Sequence, residues 1–235
     1  MQITIVGAGN MASGIATRAL AGGHSVRLTD RDPAKAKSLA EDLRQRVPGA
    51  DVAEAGTVSA STGLASTVSA STGLASTGLA STGLAGIVVL ALPFAAAEQV
   101  AAANREELAG QIVVDISNPV DFATFDSLVV SPGTSAAEQI AAAAPGARVV
   151  KAFNTTFAGT LVAGEVGGAP LDVFIAGDDA GAKQAVADLA ASGGLRPIDA
   201  GPLKRARELE GFQFLHMTLQ QTLGTNWSSA IKIVN

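Results

Sequence analysis

Residues 2–6 read QITIV, a short β-branched apolar run, and the next six read Gly7-Ala8-Gly9-Asn10-Met11-Ala12. A buried strand that runs straight into two glycines spaced by one residue, and then into a helical pattern over residues 11–21, can fold in few ways. Gly7 permits the tight turn. Gly9 lets the backbone approach a pyrophosphate, and Ala12 keeps the helix close to the strand. The free amides and the dipole at the helix start favour an anion. The pattern predicts a Rossmann-type site for a nicotinamide dinucleotide, and an α/β fold built on a doubly wound parallel sheet.

The end of the second expected strand (residues 25–29, SVRLT) chooses between cofactors. Asp30 lies about 20 residues past the glycines, where an acid usually holds the adenosine ribose hydroxyls of NAD. Arg31 follows directly, and Lys35 lies in the first turn of the next expected helix, residues 33–46. Arg31 by a bidentate grip and Lys35 as a point charge suit the 2′-phosphate of NADP. NADP is the expected cofactor, and the residues leave NAD open.

The alternation of strand and helix continues with strands at 87–92, 111–116 and 148–153 and helices at 95–108 and 135–144. Three strand ends then carry candidate ligand groups: Leu92-Pro93, Asn118-Pro119 and Asn154-Thr155. In a parallel sheet, ligands sit at the carboxyl ends of the strands. Leu92 and Asn118 are expected to flank the nicotinamide ribose, and Asn154 and Thr155 to face a second substrate as positioning groups. Asn-Pro and Asn-Thr also serve as plain turns, which is the competing reading. Residues 57–86 interrupt the alternation with TVSASTGLAS repeated in tandem and then TGLAS and TGLAG, read as a low-complexity insertion without chemistry. After residue 156 the pattern changes to a strand at 171–176, a helix at 180–191, an extended stretch at 195–199 and a long helix at 203–223. The chain is therefore expected to divide into a dinucleotide-binding part, 1–156, and a smaller C-terminal α+β portion, 157–235. Leu203, Leu209, Phe212, Leu215, Leu219 and Leu223 are expected to make much of the apolar face of the last helix.

Composition narrows the function. A net charge of −5 does not suit a nucleic-acid surface, which needs clustered Lys and Arg. With no cysteine, disulfides, thiolate metal sites and cysteine nucleophiles are excluded. No apolar run is long enough to span a membrane, and the N-terminus lacks the pattern of a signal peptide, so a cytoplasmic protein is expected. Only two histidines occur: His24 in a turn, and His216, for which a core or surface role is expected. There is no tyrosine, and no Ser-Tyr-Lys, His-Asp or HExxH set. Hydride transfer between two bound cofactors needs little side-chain acid–base help, since proximity and orientation supply most of the catalysis.

Taken together, ITIVGAGNMASGIA, TDRDPAKAK, IVVLALPF, IVVDISNPV, VVKAFNTTFAGTL, DVFIAGDD and GLRPIDAGPLKRARELE resemble the NADPH-dependent reductases of the deazaflavin coenzyme F-420. The resemblance covers nearly the whole chain except the repeat. It implies reversible hydride transfer between NADPH and coenzyme F-420 as co-substrate. Gly7, Ala8, Gly9, Asn10, Met11 and Ala12, with Arg31 and Lys35, would hold NADP. Asn118, Asn154, Thr155 and Leu203 would lie against the deazaflavin, with Pro119 among the cofactor-binding residues. It also implies a homodimer with C-terminal helices in the interface. The family usually has a small hydroxyl residue where Asp30 stands. The GNMA turn is also similar to that of pyrroline-5-carboxylate reductases, and similar domains occur in metalloreductases. Two other readings are a non-catalytic module that senses NADPH and a small-imine reductase, the latter needing a proton donor that the sequence does not display.

Overall fold

The computed structural model describes residues 1–54 and 86–234, so the repeat expected at 57–86 lies outside the described residues except for Gly86. The chain opens with β1 (Gln2–Val6), α1 (Asn10–Ala21), β2 (Ser25–Thr29), α2 (Pro33–Arg46) and a three-residue edge strand β3 (Val52–Glu54) that the pattern does not mark. It continues with β4 (Ile87–Leu90), α3 (Phe94–Ala103), β5 (Ile112–Asp115), α4 (Ala136–Ala143), β6 (Arg148–Lys151) and α5 (Ala158–Ala163). Next come a short ribbon of β7 (Glu165–Val166) and β8 (Ala169–Pro170), then β9 (Asp172–Gly177), α6 (Ala180–Ser192) and β10 (Arg196–Gly201). A 3₁₀ turn (Leu203–Arg205) leads into α7 (Ala206–Leu223).

Eight strands form one sheet in the order β10-β9-β6-β5-β4-β1-β2-β3. The six from β3 to β6 are all parallel and follow the 3-2-1-4-5-6 order of the Rossmann fold. β4, β5 and β9 are buried at every position, as expected of strands covered by helices on both faces. The C-terminal third supplies both strands and helices, as expected, and its strands β9 and β10 join the same sheet. They extend it: β9 pairs antiparallel to β6, and β10 pairs parallel to β9.

The register aligns Thr29, Val6, Leu90, Asp115 and Lys151 in one row across the sheet. The residues just past that row form its carboxyl edge, where a ligand is expected.

The last helix corrects the apolar face expected for it. Leu203 and Leu209 are buried, but Phe212, Leu215, Leu219 and Leu223 are 37–60% exposed. Glu210, Gln213, His216 and Gln220 turn inward instead. The physical reason is a set of polar obligations stronger than the leucine pattern. Glu210 must reach Lys151, while Gln220 and His216 share the Ser229 hydroxyl of the C-terminal tail, at 2.9 and 2.8 Å. His216 also lies 4.6 Å from Phe157, ring centre to ring centre, and burial pushes its pKa down.

Candidate functional site

The glycine turn carries its sequence logic into three dimensions. Gly7 has φ +109°, and a Cβ there would lie 2.4 Å from the Ala91 carbonyl oxygen and 3.2 Å from the Leu92 side chain. Only glycine lets the ends of β1 and β4 come this close. Gly9 is the N-cap of α1 in extended conformation, with open space where its Cβ would be. No side chain caps α1, and no acidic residue occupies its first turn. Asp32, Ser135 and Asp179 cap α2, α4 and α6, while α3 and α7, like α1, have no side-chain cap. The amides at the start of α1 therefore have no side-chain acceptor, beside a Gly9 with open space at its Cβ position and a dipole behind them, which fits a diphosphate. Ala12 is fully buried, and Gly14 lets α5 approach: a Cβ there would lie 2.7 Å from the Leu161 Cβ.

Asp30 follows β2 and turns back onto this loop. Its carboxylate accepts the Ala8 amide at 2.9 Å on one oxygen and the Asp32 amide at 2.9 Å on the other. Arg31 and Lys35 are both exposed. The acid thus braces the glycine turn, with Arg31 next to it in the chain and Lys35 in the first turn of α2.

At the ends of β5 and β6, Asn118 and Asn154 are joined twice. The Asn118 side-chain amide donates to the Asn154 carbonyl at 2.9 Å, and the Asn154 side-chain amide donates to the Asn118 side-chain oxygen at 3.0 Å. Phe153, one residue earlier, has φ +62°, a left-handed conformation that costs a bulky residue roughly 1–3 kcal/mol. Three buried polar atoms at these ends have no partner among the described residues: Ser117 Oγ, Asn154 Oδ1 and Thr155 Oγ1. Unspent hydrogen-bonding capacity beside a strained backbone is the mark of a place prepared for a ligand. Pro93 is exposed and Leu92 half-buried at the end of β4, while Pro119 is buried behind Asn118. Leu203 is not open to this edge. It is 6% exposed in the core formed with α4 and β6, and its amide donates to Asp178 at 2.9 Å.

The sequence reading missed the ion cluster beneath these ends. Lys151 Nζ donates to Asp115 Oδ2 at 2.8 Å, to Glu210 Oε1 at 2.7 Å and to the Ser117 carbonyl at 2.5 Å. The three charged side chains are at most 1% exposed. Glu210 also accepts the Ala136 and Ala137 amides at 3.0 and 3.4 Å, so it caps α4 from α7. Burial pushes the Glu210 carboxyl above its ordinary range, against the opposing pull of Lys151. The signal was present in VVKAF and IVVDI: a charge inside an otherwise apolar parallel strand must find a buried partner. Among the described residues no group of three or more His, Cys, Asp or Glu is arranged to hold a metal ion.

A Rossmann-ordered sheet, an uncapped glycine turn and unspent polar groups at the neighbouring strand ends define a dinucleotide-binding protein of the oxidoreductase class. Residues 2–119 match the family described as NADP oxidoreductase, coenzyme F420-dependent, and the chain belongs to that family. It is 34% identical over 130 residues to the F420-dependent NADP reductase of Methanocaldococcus jannaschii, covering 53% of this chain and 57% of that one. It is 29% identical over 209 residues to metalloreductase STEAP3 of Rattus norvegicus, covering 89% of this chain and 36% of that one. The chain thus spans about a third to somewhat over half of the length of these two relatives. The crystal structure of a putative F420-dependent NADP-reductase from Arthrobacter sp. FB24 superposes over the full length of both chains, with TM-score 0.74 and 30% identity. A reductive aminase from Aspergillus terreus shares the fold at 20% identity, with TM-score 0.60 over 96% of this chain and 63% of that one.

Proposed function

We propose that the chain transfers a hydride between NADPH and a deazaflavin, coenzyme F-420, or a flavin-like acceptor. The observation that carries this reading is the uncapped start of α1 in a chain of this family: its amides have no side-chain acceptor, beside a Gly9 with open space at its Cβ position. The amides of Asn10, Met11 and Ala12 bind the pyrophosphate, with Gly7, Ala8 and Gly9 shaping the turn. Arg31 and Lys35 take the 2′-phosphate. Leu92, Pro93, Asn118 and Pro119 line the nicotinamide ribose, and Asn154 and Thr155 orient the second substrate. NADPH, when bound, supplies the hydride. The protein's contribution is orientation, from strand ends locked by the Asn118–Asn154 pair and by the ion cluster behind them.

Residues 157–235 serve in this reading as the acceptor-side and dimerisation portion. The exposed Phe212, Leu215, Leu219 and Leu223 stripe supports a homodimer, because four large apolar side chains on one helix face are an unusual thing to leave in water. No helix among the described residues is long and apolar enough to cross a membrane, and the working compartment is the cytoplasm in this reading.

The test is direct. Purified protein with NADPH and oxidised coenzyme F-420 should bleach the deazaflavin's visible band in step with NADPH consumption. Turnover with a free flavin but not with the deazaflavin would change the acceptor. NADPH binding without turnover on either would leave a sensing module.

A further inference from the structure

Asp30 stands where an acid holds a ribose diol, yet beside two cations suited to a 2′-phosphate. The structure shows how both sit together. The Asp30 carboxylate is fixed in place by the Ala8 and Asp32 amides, one on each oxygen at 2.9 Å. A carboxylate oxygen accepts more than one hydrogen bond, so each oxygen keeps capacity for a hydroxyl donor. Arg31 and Lys35 are exposed, and neither side chain has a hydrogen-bond or ion-pair partner among the described residues. Two amides hold the anion, and no side-chain partner among the described residues holds the cations.

We propose that Asp30 makes the adenosine end of this site accept NADH as well as NADPH. The carboxylate takes the ribose hydroxyls of NADH, and Arg31 and Lys35 take the phosphate of NADPH against the repulsion of Asp30. This rests on the dinucleotide reading of the glycine turn, but not on the identity of the hydride acceptor. A carboxylate receiving a hydroxyl makes a charge-assisted bond, and the same carboxylate beside a phosphate opposes it, so the one group moves the two affinities in opposite directions.

Removing Asp30 has two consequences that separate cleanly. The brace on the Ala8 amide acts on the pyrophosphate, which both cofactors share, so its loss cancels in the ratio of their affinities. The charge acts at the ribose, where the cofactors differ, so its loss appears in that ratio. Calorimetric titration of the full chain with NADPH, NADH, ADP-ribose and 2′-phospho-ADP-ribose reads both. The wild type should bind NADH within about tenfold of NADPH, and Asp30→Ser should move the ratio toward NADPH by about tenfold or more. Asp30→Asn keeps an acceptor for the Ala8 amide without the charge, and should move the ratio the same way if the serine variant proves unstable. The two ADP-ribose fragments should reproduce both shifts. A wild-type preference for NADPH beyond tenfold overturns the proposal, as does an unchanged ratio in both variants, which would make Asp30 a brace only. NADPH binding alone, with deazaflavin bleaching intact, would sink the dual competence and leave the proposed function standing. Failure of both cofactors to bind would sink both.

Discussion

Lys151→Met tests whether the buried ion cluster holds the carboxyl edge in place. Methionine nearly matches lysine in length and packs well in apolar surroundings, so the change removes a charge without opening a large cavity. It leaves Asp115 and Glu210, at most 1% exposed, without the cation that lies 2.8 and 2.7 Å from them. Breaking a buried pair by deleting one partner costs roughly 3–5 kcal/mol, because the remaining charge is uncompensated. The cost should depend on pH in a definite direction. Burial already pushes the Glu210 carboxyl up, and Lys151 is the chief opposing influence. Without it, Glu210 binds a proton in the folded state at pH values where the unfolded chain has released it. The folded variant then binds more protons than the unfolded one, so its stability falls as pH rises from about 4.3 toward the raised folded value, by up to ~1.4 kcal/mol per pH unit. Urea unfolding followed by circular dichroism at pH 4 and pH 8 measures both quantities. For a chain of this size each kcal/mol also lowers Tm by roughly 2–4 °C. Lys151→Met combined with Glu210→Gln should recover part of the loss by removing one of the stranded carboxylates. A loss below about 1 kcal/mol at pH 8, or an equal loss at both pH values, would refute the reasoning.

Four further outcomes follow from the geometry. Gly9→Ala should leave stability within about 0.5 kcal/mol, since its Cβ meets nothing within 4 Å, yet weaken NADPH by about tenfold or more in calorimetric titration. Gly7→Ala should instead lower stability by about 2 kcal/mol or more, because φ is +109° and the new carbon would lie 2.4 Å from a backbone carbonyl. Burial would raise the Asp172 carboxyl, but hydrogen bonds from Arg196, the Ile233 amide and Lys232 outweigh it and hold it down to about 2. These bonds strap the C-terminal tail to β9, and their stability, about 2 kcal/mol, is present above the unfolded value near 3.9 and lost as pH falls through 2. Acid titration of Asp172→Asn should lack that step. On the proposed homodimer reading, Leu215→Glu with Leu219→Glu should convert a dimer into a folded monomer by light scattering, since both side chains lie on the exposed stripe; a monomeric wild type, or a dimer that the variant leaves unchanged, would remove this face as the interface.

Most of the parallel sheet was legible because its signals are local. Apolar runs such as ITIV, IVVL and IVVD allow only buried strands, and GAGNMA allows only a tight turn into a helix. The strand ends that carry the candidate residues were legible for the same reason: in a parallel sheet every such end falls on one edge, and the register of Val6, Leu90, Asp115 and Lys151 aligns them. Local pattern failed where long-range polar pairing outranked hydrophobic periodicity. The leucines of α7 predict the wrong inward face, because Glu210 is bound to a lysine 59 residues away and turns the helix to reach it.

The sequence by itself determined the Rossmann order's raw material, the glycine turn and the family, all of which depend on neighbours within a few residues. Only the tertiary structure decided that β9 runs antiparallel onto β6, that Asp30 braces Ala8, and that Lys151, Asp115 and Glu210 meet. Those arrangements arise from charges and amides that must be satisfied once water is excluded, and which partner satisfies them depends on how distant segments come together.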